Sequence, residues 1–201
     1  MILSKRLKTI ADMVDTKIIY DIGCDHALLD IYLSEKETYC IAIDISPYCI
    51  EKASKNIGNN KYIKLLVNNG LQGIDIVNNS TVILSGMGVK TILDIINGKN
   101  IDNLICQTNK NIYELRKKVC SLGYYIENEK VIFDKRYYII IKFKKGISNY
   151  NEKELHLGPI LLKNKTDIYY DYLKYLKKIN INIRYHNIEK QNLLKIINEE
   201  L

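Results

Sequence analysis

The feature that most constrains this chain is an alternation of short apolar runs with helical stripes. Runs of four to eight apolar residues suit strands buried on both faces, whereas apolar spacings of three and four mark one face of a helix. Apolar residues at 3, 7, 10, 13 and 14, opposite Lys5, Arg6 and Lys8, predict a first helix. Lys17-Ile-Ile-Tyr-Asp-Ile-Gly23 then predicts a strand ending at an acid and a glycine, with a helix near 27–36. Tyr39–Asp44 reads as a second strand, and Ser46-Pro47 supplies an N-cap and a first-turn proline for a helix to about Asn56. Tyr62–Val67 and Thr81–Ser85 are the third and fourth strands, the latter followed by a helix near 89–97. Leu104–Gln107 is the fifth, and its helix near 111–122 is stopped by Gly123. Tyr124–Phe133 and Tyr137–Phe143 have no helix between them and read as an antiparallel hairpin. The fold class is therefore α/β, a parallel sheet with an antiparallel edge, whose ligands gather at the carboxyl ends of strands one, two and four.

Composition narrows the class further. With 47% apolar and 26% charged residues in 201, the chain has the make-up of a folded globule. No run approaches the ~18 apolar residues of a bilayer crossing, and the first residues lack an export pattern, so no membrane partner is expected and the cytoplasm is. Five cysteines without a CxxC pair fit reduced thiols better than a disulfide framework or a zinc site. No metal is expected, and the chain is read as a monomer. Thirty basic against 23 acidic residues give +7, which favours polyanionic partners. Because 26 of those 30 are lysines in an Ile-, Asn- and Tyr-rich chain, the total alone decides little. Composition shifts after Phe143: 146–151 reads as a linker and Gly158-Pro159 as a turn. The expected division is a catalytic domain over 1–147 and a small helical domain over 148–201. An apolar stripe through Leu162, Tyr169, Leu173, Leu176, Ile179 and Ile183 predicts two helices folded back on one another, coiled-coil-like, with 180–187 between them.

Four constellations fall at predicted strand ends. Asp21-Ile-Gly23-Cys24-Asp25-His26 closes strand one; a glycine there admits a ligand to the backbone, though any βα turn could use it. Asp44, 23 residues on, ends strand two, where an acid can accept from both ribose hydroxyls of an adenosine cofactor. The first turn lacks the three glycines of a pyrophosphate loop, so S-adenosyl-L-methionine fits better than NAD. Ile45 flanks that acid. Asn68-Asn69-Gly70-Leu71 follows strand three, and an amide there can meet an adenine edge or the segment can simply turn the chain. Ser85-Gly86-Met87-Gly88 follows strand four and suggests backbone laid against a ligand. Gln107 and Asn109, after strand five, suit either a base edge or a helix cap. His26 is too isolated for a triad or a metal site.

Together these segments resemble one family, the bacterial tRNA (adenine(22)-N1)-methyltransferases. The resemblance rests on Leu3-Ser-Lys-Arg-Leu7, Asp21-Ile-Gly-Cys-Asp-His-Ala-Leu-Leu29, Asp44-Ile-Ser-Pro47, Asn69-Gly-Leu71, Ser85-Gly-Met-Gly88, Gln107-Thr-Asn109 and Leu157-Gly-Pro159, in the same order over nearly the whole chain. It implies a Rossmann-like class I methyltransferase sheet with a small C-terminal helical domain, S-adenosyl-L-methionine as cofactor and 1-methyladenosine in tRNA as product. Asp21 and Gly23 would line the methionine part of the cofactor, Cys24 standing where the family has Ser, with His26 beside them. Asp44 would hold the ribose, Asn69 would stand where the family usually has Asp, and Gly88 is followed by Val89 instead of a second glycine. The family's helical extension matches 159–201.

Adenine N1 carries an in-plane lone pair, so transfer requires placement and stabilisation of positive charge reaching the ring. Asp25 is the candidate catalytic residue, accepting from the exocyclic N6. Because N1 lies on the pairing edge, the target must leave its pair. Candidate RNA contacts are Lys5, Arg6, Gln107, Asn109, Lys163, Lys174, Lys177 and Lys178, and the segment 110–146 carries ten basic against four acidic residues. Removing 150–201 is expected at this level to spare cofactor binding and collapse tRNA affinity. The alternatives are a class I methyltransferase for another RNA nucleotide or a small molecule, or a non-catalytic RNA-binding protein that keeps the fold.

Overall fold

The computed structural model describes residues 2–181 and 188–201. Helix α1 (Lys5–Asp12) leads into β1 (Ile18–Ile22), α2 (Leu28–Ser34), β2 (Tyr39–Asp44), α3 (Pro47–Ile57) and β3 (Ile63–Val67). Then come β4 (Thr81–Ser85), α4 (Val89–Ile96), β5 (Asn103–Gln107), α5 (Ile112–Ser121) and the hairpin β6 (Tyr124–Asp134) and β7 (Arg136–Lys145). Local chemistry sets several of these ends. Ser4 accepts from the Leu7 N–H to cap α1, and Ser46 accepts from the Cys49 N–H ahead of Pro47 to cap α3.

The seven strands lie in the order β3-β2-β1-β4-β5-β7-β6. All neighbours are parallel through β5, and β7 runs antiparallel to both β5 and β6. Because side chains alternate along a strand, the sheet divides its apolar residues between two layers. Ile19, Ala42, Ile83, Ile105 and Ile140 face the cluster under α1 and α2. Tyr20, Ile43, Leu84, Leu104 and Ile141 face the cluster that includes Ile92 of α4 and Leu115 of α5. The chain leaves β1 toward β2 on one side and returns to β4 on the other, which opens a crevice at the carboxyl ends of β1 and β4.

Residues 148–201 depart from the two-helix expectation. The described part holds four helices: α6 (Glu152–Leu157), α7 (Pro159–Asn164), α8 (Asp167–Ile181) and α9 (Ile188–Glu200). Asn151 and Glu154 form a reciprocal capping box that starts α6, and Gly158-Pro159 breaks it from α7. Most of the stretch 180–187, and Ile183 with it, lies outside the described residues. Leu155, Leu157, Leu161, Tyr169, Leu173 and Ile197 belong to the same apolar cluster as α4 and α5, so these helices share the core of the sheet. The expected linker is anchored too: Ser148 Oγ donates to the Tyr124 carbonyl at 2.8 Å, and the Tyr150 hydroxyl accepts from the Ile126 N–H at 3.0 Å.

A buried ion pair fixes the junction. Arg116 on α5 and Glu129 on β6, each about 1% exposed, meet at 2.7 Å. Both also bond to the C-terminal part: Arg116 Nη1 donates to the Leu155 and His156 carbonyls, both at 3.0 Å, and Glu129 Oε2 accepts from the Ile160 N–H at 3.1 Å. Gly158 sits over the pair at φ +96°, where a Cβ would lie 2.6 Å from Glu129 Oε2 and 2.8 Å from Arg116 Nη2. Only glycine fits there.

Candidate active site

The turn after β1 is strained and pinned. Gly23, Asp25 and Ala27 take φ of 78°, 50° and 55°, and the last two are side-chain-bearing residues in left-handed backbone. The Gly23 and Cys24 N–H groups both donate to the Ile43 carbonyl at 2.8 and 3.1 Å, and the Asp25 N–H donates to Asp44 Oδ2 at 3.2 Å. The other oxygen of Asp44 accepts from the Ser46 N–H at 2.9 Å. The carboxylate is therefore fixed at the tip of β2 and bridges two loops. A Cβ on Gly23 would fall 2.7 Å from Met87 Cε, which places the Met87 side chain over the turn.

The crevice itself is lined by Asp21, Gly23, Cys24, Asp25, His26 and Ser85, together with Arg6, Leu7, Leu28 and Leu29. His26 Nε2 lies 3.5 Å from Asp25 Oδ1. Ile45 is exposed beside Asp44. The β3 loop hangs from the same edge: the Asn68 N–H donates to the Asp44 carbonyl at 3.0 Å, and the Asn68 amide donates to the Gly70 and Gln72 carbonyls. Asn69 is exposed and Gly70 buried. Asn68, the first residue of this constellation, spends its amide on shaping the loop.

Arg6 and Gln107 do not stand where the sequence suggested. Gln107 is 0% exposed, and its Oε1 accepts from Arg6 Nη1 at 3.1 Å, Ser85 Oγ at 3.2 Å and the Gly86 N–H at 3.1 Å. Its Nε2 donates to Asn109 Oδ1 at 3.1 Å. An amide buried this deeply and bonded at both its oxygen and its nitrogen is not presented to RNA, so Gln107 is a brace for the crevice. Arg6, half-buried, turns inward onto Ser85 Oγ at 2.8 Å and so faces the crevice instead of the phosphate backbone. Asn109 remains exposed, and Arg136 Nη2 also donates to it at 3.2 Å. Lys5, Lys163, Lys174 and Lys178 are exposed, and Lys177 is half-buried. Two of the ten cations over 110–146 are not at the surface: Arg116 is buried with Glu129, and Lys142 is buried between Asp15 and Glu127 at 2.7 and 2.8 Å.

Beneath the turn lies an acid that sequence reading missed. Asp30 on α2 is 0% exposed, and neither carboxyl oxygen meets an N–H or hydroxyl donor. What it faces is the carboxyl of Asp21, itself buried. Burial pushes both acids up, Asp21 to about 7, and their mutual interaction raises Asp30 further while holding Asp21 lower. Arg6 opposes the rise at Asp21 and Asp44 adds to it; the buried Cys24 and Cys40 thiols are raised as well, chiefly by burial.

Folded-state values above the unfolded value of about 4 mean that the native state holds more protons, so stability is lost as pH climbs from there through about 7. Asp30→Asn keeps an N–H toward Asp21 and removes one titrating group. Its gain in Tm is expected to be small at pH 4.5 and to reach about 2–8 °C at pH 8, roughly 1–2 kcal/mol. Calorimetric melting across that range checks it, and a gain independent of pH would show that the fold does not raise these acids.

Asp21 and Asp25 at the crevice, with Asp44 at the neighbouring tip of β2 and no phosphate loop, suit a cationic nucleoside ligand and disfavour a pyrophosphate. Sheet order and crevice together define a Rossmann-like class I methyltransferase. The comparisons agree. The model of the methyltransferase-domain family matches residues 3–141. A Mycoplasma genitalium protein, named provisionally as a tRNA methyltransferase, is 30% identical over 176 residues, covering 81% of this chain and 80% of that protein. The solved structure of Mycoplasma capricolum TrmK in complex with S-adenosyl-homocysteine is 31% identical with a TM-score of 0.81, covering 100% of this chain and 96% of that one. A Streptococcus pneumoniae protein, provisionally a tRNA (m1A22) methyltransferase and solved with S-adenosyl-L-methionine, is 26% identical with a TM-score of 0.86, covering 100% of both chains. This chain belongs to the methyltransferase-domain family and, within it, to the bacterial tRNA (adenine(22)-N1)-methyltransferases.

Proposed function

We propose that this chain methylates N1 of adenine 22 in tRNA, using S-adenosyl-L-methionine. The observation that carries the reading is the Asp44 carboxylate, locked between the Asp25 and Ser46 N–H groups at the tip of β2, beside a glycine turn without phosphate-binding features. When bound, the cofactor supplies an electrophilic methyl on a sulfonium. Asp44 would accept from the ribose hydroxyls, with Ile45 against the adenine and Asn69-Gly70 at its edge. Asp21 and Gly23, with Cys24 and His26, would line the methionine part, and Ser85-Gly86-Met87-Gly88 would close the side opposite Asp44. The carboxylates at the crevice complement the cation.

Asp25 is the group we assign to the target base. It lines the crevice with its side chain exposed, and its backbone is fixed by Asp44. Accepting from N6, it would favour the positive charge that N1 methylation places on the ring. Arg6, braced by Ser85 and Gln107, would orient the nucleotide beside it. Exposed Lys5, Lys163, Lys174 and Lys178, with Lys177, would meet the RNA backbone, which gives 148–201 its gripping role alongside its place in the core. Because the substrate is tRNA, the reading places the chain in the cytoplasm, acting as a monomer.

Incubating the protein with unmodified tRNA transcripts and labelled methyl donor, then mapping the modified nucleotide, tests the assignment. Methylation confined to N1 of adenine 22 is expected; methylation elsewhere, or none, refutes it. In the same assay Asp25→Asn should lower kcat about 100-fold while cofactor affinity stays near wild type. Undiminished turnover would remove Asp25 from the reaction.

A further inference from the structure

The hairpin carries a second feature on the crevice side. Since β7 runs antiparallel to β5 with Gln107 opposite Ile140, residues 133–138 overhang the carboxyl edge of the sheet, where the crevice opens. Hairpin tips are ordinarily polar, yet this one presents Phe133, 47% exposed. Tyr137 packs against it with ring centroids 5.0 Å apart, edge to face. From α8, Tyr175, 42% exposed, reaches the same ring at 5.1 Å, and Tyr172 supports it at 5.5 Å. A contiguous aromatic surface of this kind is a binding feature more often than an accident.

Its surroundings identify the ligand. Lys135 and Arg136 stand exposed at the tip, and Lys174 and Lys178 stand exposed on α8; the neighbouring acids are Asp134 and Asp171, the latter 3.5 Å from Lys174. The patch is also continuous with the crevice. Arg136 lies over the Tyr138 ring at 4.8 Å and Arg6 over the same ring at 5.8 Å. Aromatic faces flanked by cations match a base with its phosphates, and only an unstacked base offers a free face.

We propose that Phe133, Tyr137 and Tyr175 form a stacking platform for an unpaired tRNA base close to the one entering the crevice. The platform rests on the tRNA reading above and adds a site to it. The base lies on the rings while Lys135, Arg136 and Lys174 meet the adjoining phosphates. The platform thereby holds the strand open beside a target that must leave its pair.

The test uses the full chain and a tRNA transcript, with Tyr175→Ala, Phe133→Ala and the conservative Tyr175→Phe. Filter binding should show tRNA affinity falling about 10-fold in each alanine variant and retained in Tyr175→Phe. KM for tRNA should rise in parallel, and cofactor affinity by calorimetry should match wild type, which separates a lost platform from a lost fold. Wild-type tRNA affinity in both alanine variants, with the wild-type protein methylating normally, overturns the platform and leaves the tRNA reading standing. A wild-type protein that neither binds nor methylates tRNA overturns both. If the alanine changes instead split a dimer seen by sedimentation and leave tRNA affinity unchanged, the aromatic surface is a contact between copies and the proposal fails.

Discussion

Asp44→Asn is expected to weaken S-adenosyl-L-methionine binding by at least about 100-fold, read by calorimetry. Each hydrogen bond from a ribose hydroxyl to an ionised carboxylate contributes about 1.5–3 kcal/mol, and the tenfold unit of affinity is about 1.4 kcal/mol. The substitution is small, but it strikes twice. Both oxygens of Asp44 already accept backbone N–H groups, from Ser46 at 2.9 Å and Asp25 at 3.2 Å. An amide must turn its NH2 toward one of these donors, so one loop is released while the ribose loses its charged acceptor. Near-wild-type affinity would mean that the cofactor does not lie across the tips of β1 and β2.

The second large effect concerns stability. Glu129→Ala leaves Arg116 buried without its counter-charge, which is expected to cost about 3–5 kcal/mol and lower Tm by about 10 °C in thermal melts. Glu129→Gln retains an acceptor for Arg116 Nε and should lose less. The same geometry revises the outcome of removing 150–201. From sequence, that deletion spares cofactor binding; in the structure it strips Arg116 of the Leu155 and His156 carbonyls and takes the Tyr150 hydroxyl from the Ile126 N–H. Global unfolding is expected, visible as loss of the cooperative melt. A deletion variant that melts like the full chain would show the junction to be dispensable.

Local signals carried much of the architecture. Tyr39–Asp44 and Thr81–Ser85 announce themselves as apolar runs bounded by polar residues, and Ser46-Pro47 caps α3 as its chemistry dictates. The hairpin follows from two β-rich runs with nothing helical between them. The strand-end positions Asp21, Gly23, Asp44 and Ser85 meet at one edge because a parallel α/β sheet brings its carboxyl ends together. What stayed hidden depends on distance along the chain. Arg6 meets Ser85 and Gln107 across 79 and 101 positions, and nothing in its own helix distinguishes it from Lys5 or Lys8. Asp30 sits in an apolar helical stretch, and only packing reveals that it faces Asp21. The short helices of the C-terminal part were readable in principle: Asn151-x-x-Glu154 is a capping box, and Pro159 stands at a first helical turn.

The Arg116–Glu129 junction also bears on how such chains can be recombined. A seam drawn at residue 147 divides the polypeptide where its composition changes, yet the physical joint runs through α5 and β6. A chimera that borrows its tail from a relative must therefore import α5, the hairpin and the glycine that roofs them as one cassette. Exchanged at the apparent border, the two halves would each inherit one jaw of a clasp cut for another partner.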